Sequence, residues 1–169
     1  MKVLHILSYL NFSGAEIMLK IAAPFFEENG IETHILNTSN DLGVYAPEME
    51  AVGYTVHHIS FYDKQNFKAR YQKLLKEQQF DVVHIHRENS YFAFAWYAKQ
   101  VGVKKVVRTV HNIFGYLLRK KKLSILKRSL QRFMARKILG VRFTSIGDSV
   151  AEAEKGFFQP NDQNCELDG

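Results

Sequence analysis

His111 is the side chain best placed to do chemistry in this sequence, because it follows the β-branched run Val106-Val107-Arg108-Thr109-Val110 and so falls in the loop leaving a strand. A histidine there can exchange protons near neutral pH or donate a hydrogen bond to a reacting group, and Asn112 beside it can position a hydroxyl. His84 and His86 are two residues apart in another strand-like run, hence on one face, with only His86 near the carboxyl end. They are read as a rim ligand contact or as histidines satisfied by hydrogen bonds. Two imidazoles are a weak metal signal, and no metal site is recognised. Arg87, Glu88 and Asn89 follow at the same rim, where they could touch a ligand or cap the next helix. A third group is Asn11-Phe12-Ser13-Gly14-Ala15-Glu16, which opens a helix. The amides and dipole of that helix start could receive a phosphate or a hydroxyl, with Gly14 permitting close approach. Ser13 and Glu16 also have the spacing of a capping box, which would occupy the same amides without a ligand. The full dinucleotide fingerprint and a phosphate-loop lysine are both missing, which argues against nicotinamide or ATP binding.

These residues need a frame, and the hydrophobic pattern supplies one. Short β-branched runs at Lys2–Ser8, Glu32–Asn37, Thr55–Ser60, Asp81–His86, Lys104–Val110 and Val141–Ile146 predict six strands. Helical patterns occupy Ala15–Glu28, Pro47–Val52, Phe67–Gln79, Ser90–Val101, Tyr116–Leu139 and Val150–Lys155. Gly30, Gly53, Gly102 and Gly140 each stand just past a helix and before a strand, where a left-handed cap favours glycine. Strand-helix alternation implies parallel strands, and right-handed crossovers then give a doubly wound, Rossmann-like α/β sheet with helices on both faces. In such a sheet every strand-to-helix loop emerges at one edge, where ligands bind. The loops 9–16, 87–90, 111–115 and 147–149 therefore share that edge, and the polar residue types concentrate in them.

Composition limits the function classes. With 169 residues and 46% hydrophobic content the chain has the makeup of one soluble domain, expected over residues 1–158 with a polar linker or tail at 159–169. The single Cys165 excludes an internal disulfide and a multi-cysteine metal cluster, so the cytoplasm is the expected compartment. The apolar stretch Val3–Leu7 is too short for a signal peptide or membrane span. Charge is unevenly placed. Between Glu88 and Asp148 there is no acidic residue, yet that interval holds 14 of the 23 Lys and Arg, leaving 9 basic against 17 acidic side chains elsewhere. One face is thus expected to meet an anionic partner.

Two segments admit two readings each. Tyr91, Phe92, Phe94, Trp96 and Tyr97 could stack on nucleic acid, but aromatics at helical spacing more often form core. The stretch from Arg119 to Lys137 mixes Leu117, Leu118, Leu123, Leu126, Leu130, Phe133 and Met134 with cations. Arg119, Lys120, Lys121, Lys122, Lys127 and Arg128 are its candidate contacts to an anionic membrane surface. The same composition fits a helix packed on the sheet with a solvated basic face.

Read together, these segments resemble the N-terminal domain of GT-B glycosyltransferases, specifically the large family 4 of retaining enzymes. The resemblance is carried by Val3-Leu4-His5-Ile6-Leu7, Ser13-Gly14-Ala15-Glu16, Asn29-Gly30-Ile31-Glu32-Thr33-His34, Phe80-Asp81-Val82-Val83-His84-Ile85-His86, Thr109-Val110-His111-Asn112 and Ser145-Ile146-Gly147-Asp148-Ser149-Val150, in that order. It implies that this domain holds mainly the acceptor, while a C-terminal domain, absent from these 169 residues, holds most of a nucleotide-diphosphate sugar. His111 would face the transferred sugar as the catalytic residue. Ser13, Gly14, Glu16, His86, Arg87, Asn89 and Asn112 would contact substrate. Ser13 departs from the family's pattern, which often has glycine there. The resemblance implies a nucleotide-sugar co-substrate, no cofactor in this domain, and a glycan or lipid-linked acceptor used in surface-polysaccharide synthesis, at the inner membrane face. No nucleic-acid partner is expected. The alternatives are a non-catalytic basic module for polyanions and a GT-B sugar-nucleotide epimerase.

Overall fold

The computed structural model describes residues 1–87, 89–111 and 122–152. Its elements run β1 (Lys2–Leu7), α1 (Gly14–Glu28), β2 (Glu32–Asn37), α2 (Ala46–Ala51), β3 (Thr55–His58), α3 (Phe67–Gln78), β4 (Val82–Ile85), α4 (Tyr91–Gln100), β5 (Lys105–Val110), α5 (Lys122–Lys137) and β6 (Arg142–Ser145). Residues 148–152 begin a further helical segment. All six expected strands form. Four end short of the expected bounds, at Leu7, His58, Ile85 and Ser145, although the amides of Ile59, His86 and Ile146 still donate to the neighbouring strand.

The strands form one sheet in the order β3-β2-β1-β4-β5-β6, and every neighbouring pair is parallel. This is the Rossmann-like doubly wound arrangement. The chain starts in the middle, builds outward to β3, then crosses to β4 on the other side of β1. The loops leaving β1 and β4 therefore diverge from adjacent strand ends and open a crevice at the carboxyl edge. The register His5 to His84 fixes which residues meet there.

Helices cover both faces. In α3, Phe67, Tyr71 and Leu75 are buried at four-residue spacing, which puts one stripe against Leu4, Ile6, Val83 and Ile85 of the sheet. Phe94, Ala95 and Ala98 of α4 and Ala135 of α5 extend the same cluster. Opposite, Leu19 and Ala23 of α1 pack with Ala46 and Met49 of α2 against Leu7 and Ile35. Of the aromatic run in α4, Phe94 is wholly core, Tyr91, Phe92 and Tyr97 are partly buried against it, and Trp96 stays exposed.

The four expected cap glycines, Gly30, Gly53, Gly102 and Gly140, adopt φ values of 63, 99, 88 and 63°. A fifth, Gly43, has φ 81° and is held for a different reason: a Cβ there would lie 2.4 Å from the Leu10 carbonyl oxygen. The loop after β2 thus lies directly on the loop after β1. Asn37 secures it by accepting from the Ser39 amide at 2.8 Å and donating to the Asp41 carbonyl at 3.0 Å.

Candidate functional site at the carboxyl edge of the sheet

His111 leaves β5 half-buried at this edge, and its Nε2 lies 3.0 Å from Nδ1 of His86, which leaves β4. Parallel pairing of β4 with β5 brings the two together, although 25 residues separate them. His86 is buried, and its Nε2 lies 3.2 Å from Nδ1 of His5 in the middle of β1. His84 lies on the same face with its ring centroid 4.0 Å from that of His86. Its Nε2 is 2.7 Å from the Thr109 hydroxyl, which in turn contacts the Thr144 hydroxyl at 2.8 Å. Four imidazoles from three strands thus form one polar ladder from the core to the rim.

Burial controls its charge. Desolvation, with His84 as a lesser cause, pulls the His5 imidazole down to about 3. Desolvation followed by the influence of His111 brings His84 to about 4. His86 is pushed well below the ordinary histidine range by burial first, then by His84, His5 and His111. All three are neutral near pH 7, so each has one N–H and one lone pair. The nitrogens of His5, His84 and His86 lie within 4.8 Å of one another, near enough to converge on a first-row transition metal. That trio requires His5, which the spacing of His84 and His86 alone does not reveal. Within it His5 is hydrogen-bonded to His86 and His84 to Thr109, while the Nε2 of His5 has no hydrogen-bond partner among the described residues.

The loop after β1 places Ser13 and Gly14 in the open at the start of α1. Ser13 takes the N-cap position with extended backbone, but its side chain makes no cap hydrogen bond. Its hydroxyl instead donates to the Glu16 carboxylate, which is buried. The capping-box alternative is corrected here: the two side chains satisfy each other rather than the first-turn amides. Glu16 consequently acts on Ser13 from below instead of presenting its carboxylate at the surface. A Cβ on Gly14 would meet nothing within 4 Å, so packing does not require glycine there.

Arg87 is half-buried at the switch point. Its Nη1 donates to the Thr38 hydroxyl at 2.6 Å, and Thr38 donates in turn to the Leu7 carbonyl at 2.6 Å. The guanidinium also lies over the rings of Phe61 and Phe94, at 4.7 and 5.8 Å. Arg87 therefore clamps the ends of β4, β1 and β2 together, which leaves only part of it to face a ligand. Burial lowers its pKa, against the opposing influence of Tyr62 and Tyr9. Asn89 is exposed in the turn before α4, while Glu88 and Asn112 lie outside the described residues.

The basic segment divides. Arg119, Lys120 and Lys121 lie outside the described residues, as does the side chain of Lys122; Lys127 and Arg128 are exposed on α5. Farther along, Arg132 and Arg136 lie over the ring of Phe143 at 4.5 and 5.2 Å, so these two cations serve packing. Leu130, Phe133 and Ile138 are more than half exposed. Helix α5 and the residue after it thus expose apolar side chains as well as the cations Lys127 and Arg128. Among the described residues no helix is long and apolar enough to cross a membrane.

Residue pattern alone does not single out His5, Thr38, Thr109 or Thr144 as functional. His5 carried one signal, a titratable side chain inside an otherwise apolar strand.

Comparison with known proteins bears on this edge. The model of Glycosyltransferase Family 4 matches residues 12–145, which include the α1 start, Arg87 and the four-histidine ladder apart from His5. A relative from Staphylococcus aureus, the capsular polysaccharide biosynthesis glycosyltransferase CapH, is 35% identical over 85 residues. The match takes in 50% of this chain but only 23% of that protein, so the chain spans less than a quarter of its relative. Among solved structures, an alpha-glucosyltransferase in complex with UDP and a 13-mer DNA containing an HMU base superposes with TM-score 0.51 at 15% identity, covering 86% of this chain and 37% of the other. The leucoanthocyanidin reductase of Vitis vinifera in its NADPH complex gives the same TM-score at 16% identity, covering 86% and 48%. At such identities the likeness establishes the Rossmann-like architecture alone.

Proposed function

Because this chain belongs to Glycosyltransferase Family 4, we propose that it forms the acceptor-side wall of a glycosyltransferase that moves a sugar from a nucleotide-diphosphate donor to a glycan or lipid-linked acceptor in surface-polysaccharide assembly. The observation that carries this reading is the convergence at one sheet edge of His111, His86 and the exposed Ser13-Gly14 helix start, within the stretch matched by the family. His111 meets the sugar under transfer. The uncapped first turn of α1 receives a phosphate or hydroxyl, since its amides are not taken by Ser13. The name of the Staphylococcus aureus relative supports a place in surface-polysaccharide synthesis.

Breaking a bond to a nucleoside diphosphate requires stabilising the charge on the departing phosphates by groups preorganised around them. Among the described residues of this wall, Arg87 is largely held by Thr38 and two aromatic rings, and the first-turn amides of α1 are further donors. The 169-residue chain alone is therefore expected to transfer sugar poorly, with the diphosphate-binding groups coming from a second domain. Chemical-shift mapping tests the assignment. Titration with a lipid-linked disaccharide or a capsular oligosaccharide should move the signals of Gly14, His86 and His111. If these signals stay fixed while a polyanion such as heparin shifts only the Lys127 region, the chain is a basic binding module instead. Turnover of a UDP-sugar by this chain at ordinary enzyme rates would overturn the half-site reading.

The exposure of Leu130, Phe133 and Ile138 along the same segment as Lys127 and Arg128 supports placing this wall against the inner, anionic face of a membrane, from the cytoplasm. Flotation should recover more protein with anionic than with neutral vesicles; equal recovery removes the electrostatic part of this reading.

A further inference from the structure

Strand register assembles a set of metal-ligating side chains that sequence spacing shows only in part. Alternation places His84 and His86 on one face of β4, and the pairing of His5 with His84 sets a third imidazole beside them on β1. One nitrogen from each ring lies within 4.8 Å of the other two. The link between His5 Nδ1 and His86 Nε2 is 3.2 Å long. Two nitrogens bound to one tetrahedral zinc at about 2.0–2.1 Å lie roughly 3.3 Å apart, so this pair already has the spacing of two ligands on one ion.

Few contacts stand in the way of an ion. His5 would give up a single hydrogen bond, because its buried Nε2 has no hydrogen-bond partner among the described residues. Whichever ring donates across the 3.2 Å link carries that proton on its other nitrogen instead, so the exchange needs a change of tautomer and no change of charge. His84 keeps its contact to the Thr109 hydroxyl, 2.7 Å from Nε2. A metal-bound histidine characteristically makes such an outer hydrogen bond through the nitrogen that does not ligate. Imidazole suits zinc, copper and nickel, and three protein ligands leave a fourth position for water. His84 alone of the three keeps part of its surface exposed, so that water approaches from its side. We propose that His5, His84 and His86 form a three-histidine site for a divalent first-row metal, zinc foremost, which ties β1 to β4 beneath the crevice. Neither the state of His111 nor glycosyl transfer enters this inference.

Zinc itself is the probe. The untagged chain is refolded from urea with and without equimolar zinc, so that a buried site loads as it forms. Metal analysis after gel filtration should find one zinc per chain, and competition with a chromophoric chelator should give a Kd tighter than about 1 µM. The loaded chain should have the higher urea midpoint. In proton-nitrogen correlation spectra of the labelled chain, zinc should move the ring nitrogens of His5, His84 and His86 and leave those of His34, His57 and His58 in place. No zinc retained, or ring shifts confined to other histidines, would overturn the site. His5→Phe, which removes one ligand, should weaken binding by more than about a hundredfold. His58→Gln, at an exposed histidine of β3, should bind as the parent chain does. Undiminished affinity in a folded His5→Phe chain would place the metal elsewhere and sink the proposal. The ring shifts of the parent chain decide even if that variant does not fold. No sugar is present in these measurements, so their outcome stands apart from that of the glycan titration.

Discussion

Along β1, β4 and β5, residues of one parity and those of the other meet different worlds. Leu4, Ile6, Val83, Ile85 and Val106 lie under α3, α4 and α5 in an apolar cluster, with Arg108 stacked 3.8 Å over Tyr91 at its margin. The intervening residues on the other face include His5, His84 and Thr109, joined with His86 and His111 through side-chain hydrogen bonds. The apolar side gains free energy from burial that depends little on where its side chains point. The polar side gains much less from each contact, because every hydrogen bond replaces one to water, and it costs desolvation of every ring. What it provides is direction: each imidazole constrains the next, up to the rim where ligands bind. One face holds the sheet together and the other aims its edge.

If this division is right, acid should strike one face first. His5 and His84 have folded pKa values of about 3 and about 4, below the ordinary 6.5 they regain on unfolding. Between those limits the unfolded chain binds more protons than the folded one, so stability is complete above pH 6.5 and is lost as pH falls toward 4 and then 3. At about pH 5 these two groups together remove about 4 kcal/mol, with His86 acting in the same direction. Urea midpoints at about pH 7.5 and about pH 5 measure this loss, and His5→Phe should reduce it. A midpoint unmoved by acid would mean that the ladder is hydrated or charged in the folded state.

The opposite face should answer to volume and not to pH. Ile85 is fully buried, so Ile85→Ala is expected to cost about 3 kcal/mol through lost transfer energy and the cavity left behind. Its urea midpoint should fall by the same amount at both pH values. A pH-dependent deficit would show that the two faces are coupled through β4, contrary to the comparison.

These faces were not equally legible in the sequence. Short β-branched runs and glycines at helix ends make the strands and helices readable, because both signals are local. Topology then located the rim, so His86, Arg87 and His111 could be picked out by strand-end position alone. The link between His5 and His86 spans 81 residues and depends on β1 pairing with β4, which becomes known only with the strand order. Thr38 and Gly43 escaped for a similar reason, since their partners are in the strand and loop of a different βα unit. Strand-end position marks Arg87 as a ligand contact or helix cap, but its hold on Thr38, Phe61 and Phe94 depends on side chains from other βα units and is not legible locally.

The smallest expected effect tests whether the apolar face is as free of directional bonding as the comparison assumes. Tyr71 of α3 is fully buried, and its hydroxyl has no hydrogen-bond partner among the described residues. Burial raises its phenol pKa far above the ordinary value, so the hydroxyl stays neutral. Stacking on Phe67 at 5.6 Å and edge contact with Phe94 at 5.8 Å involve the ring and would survive Tyr71→Phe. The substitution removes a desolvated polar atom but leaves a gap of one oxygen, two effects of opposite sign and similar size. The net change expected is a gain of up to about 1 kcal/mol, read as a higher urea midpoint. A loss of that size instead would mean that the hydroxyl is bonded, and that the helix side of this sheet also uses direction to fix its packing.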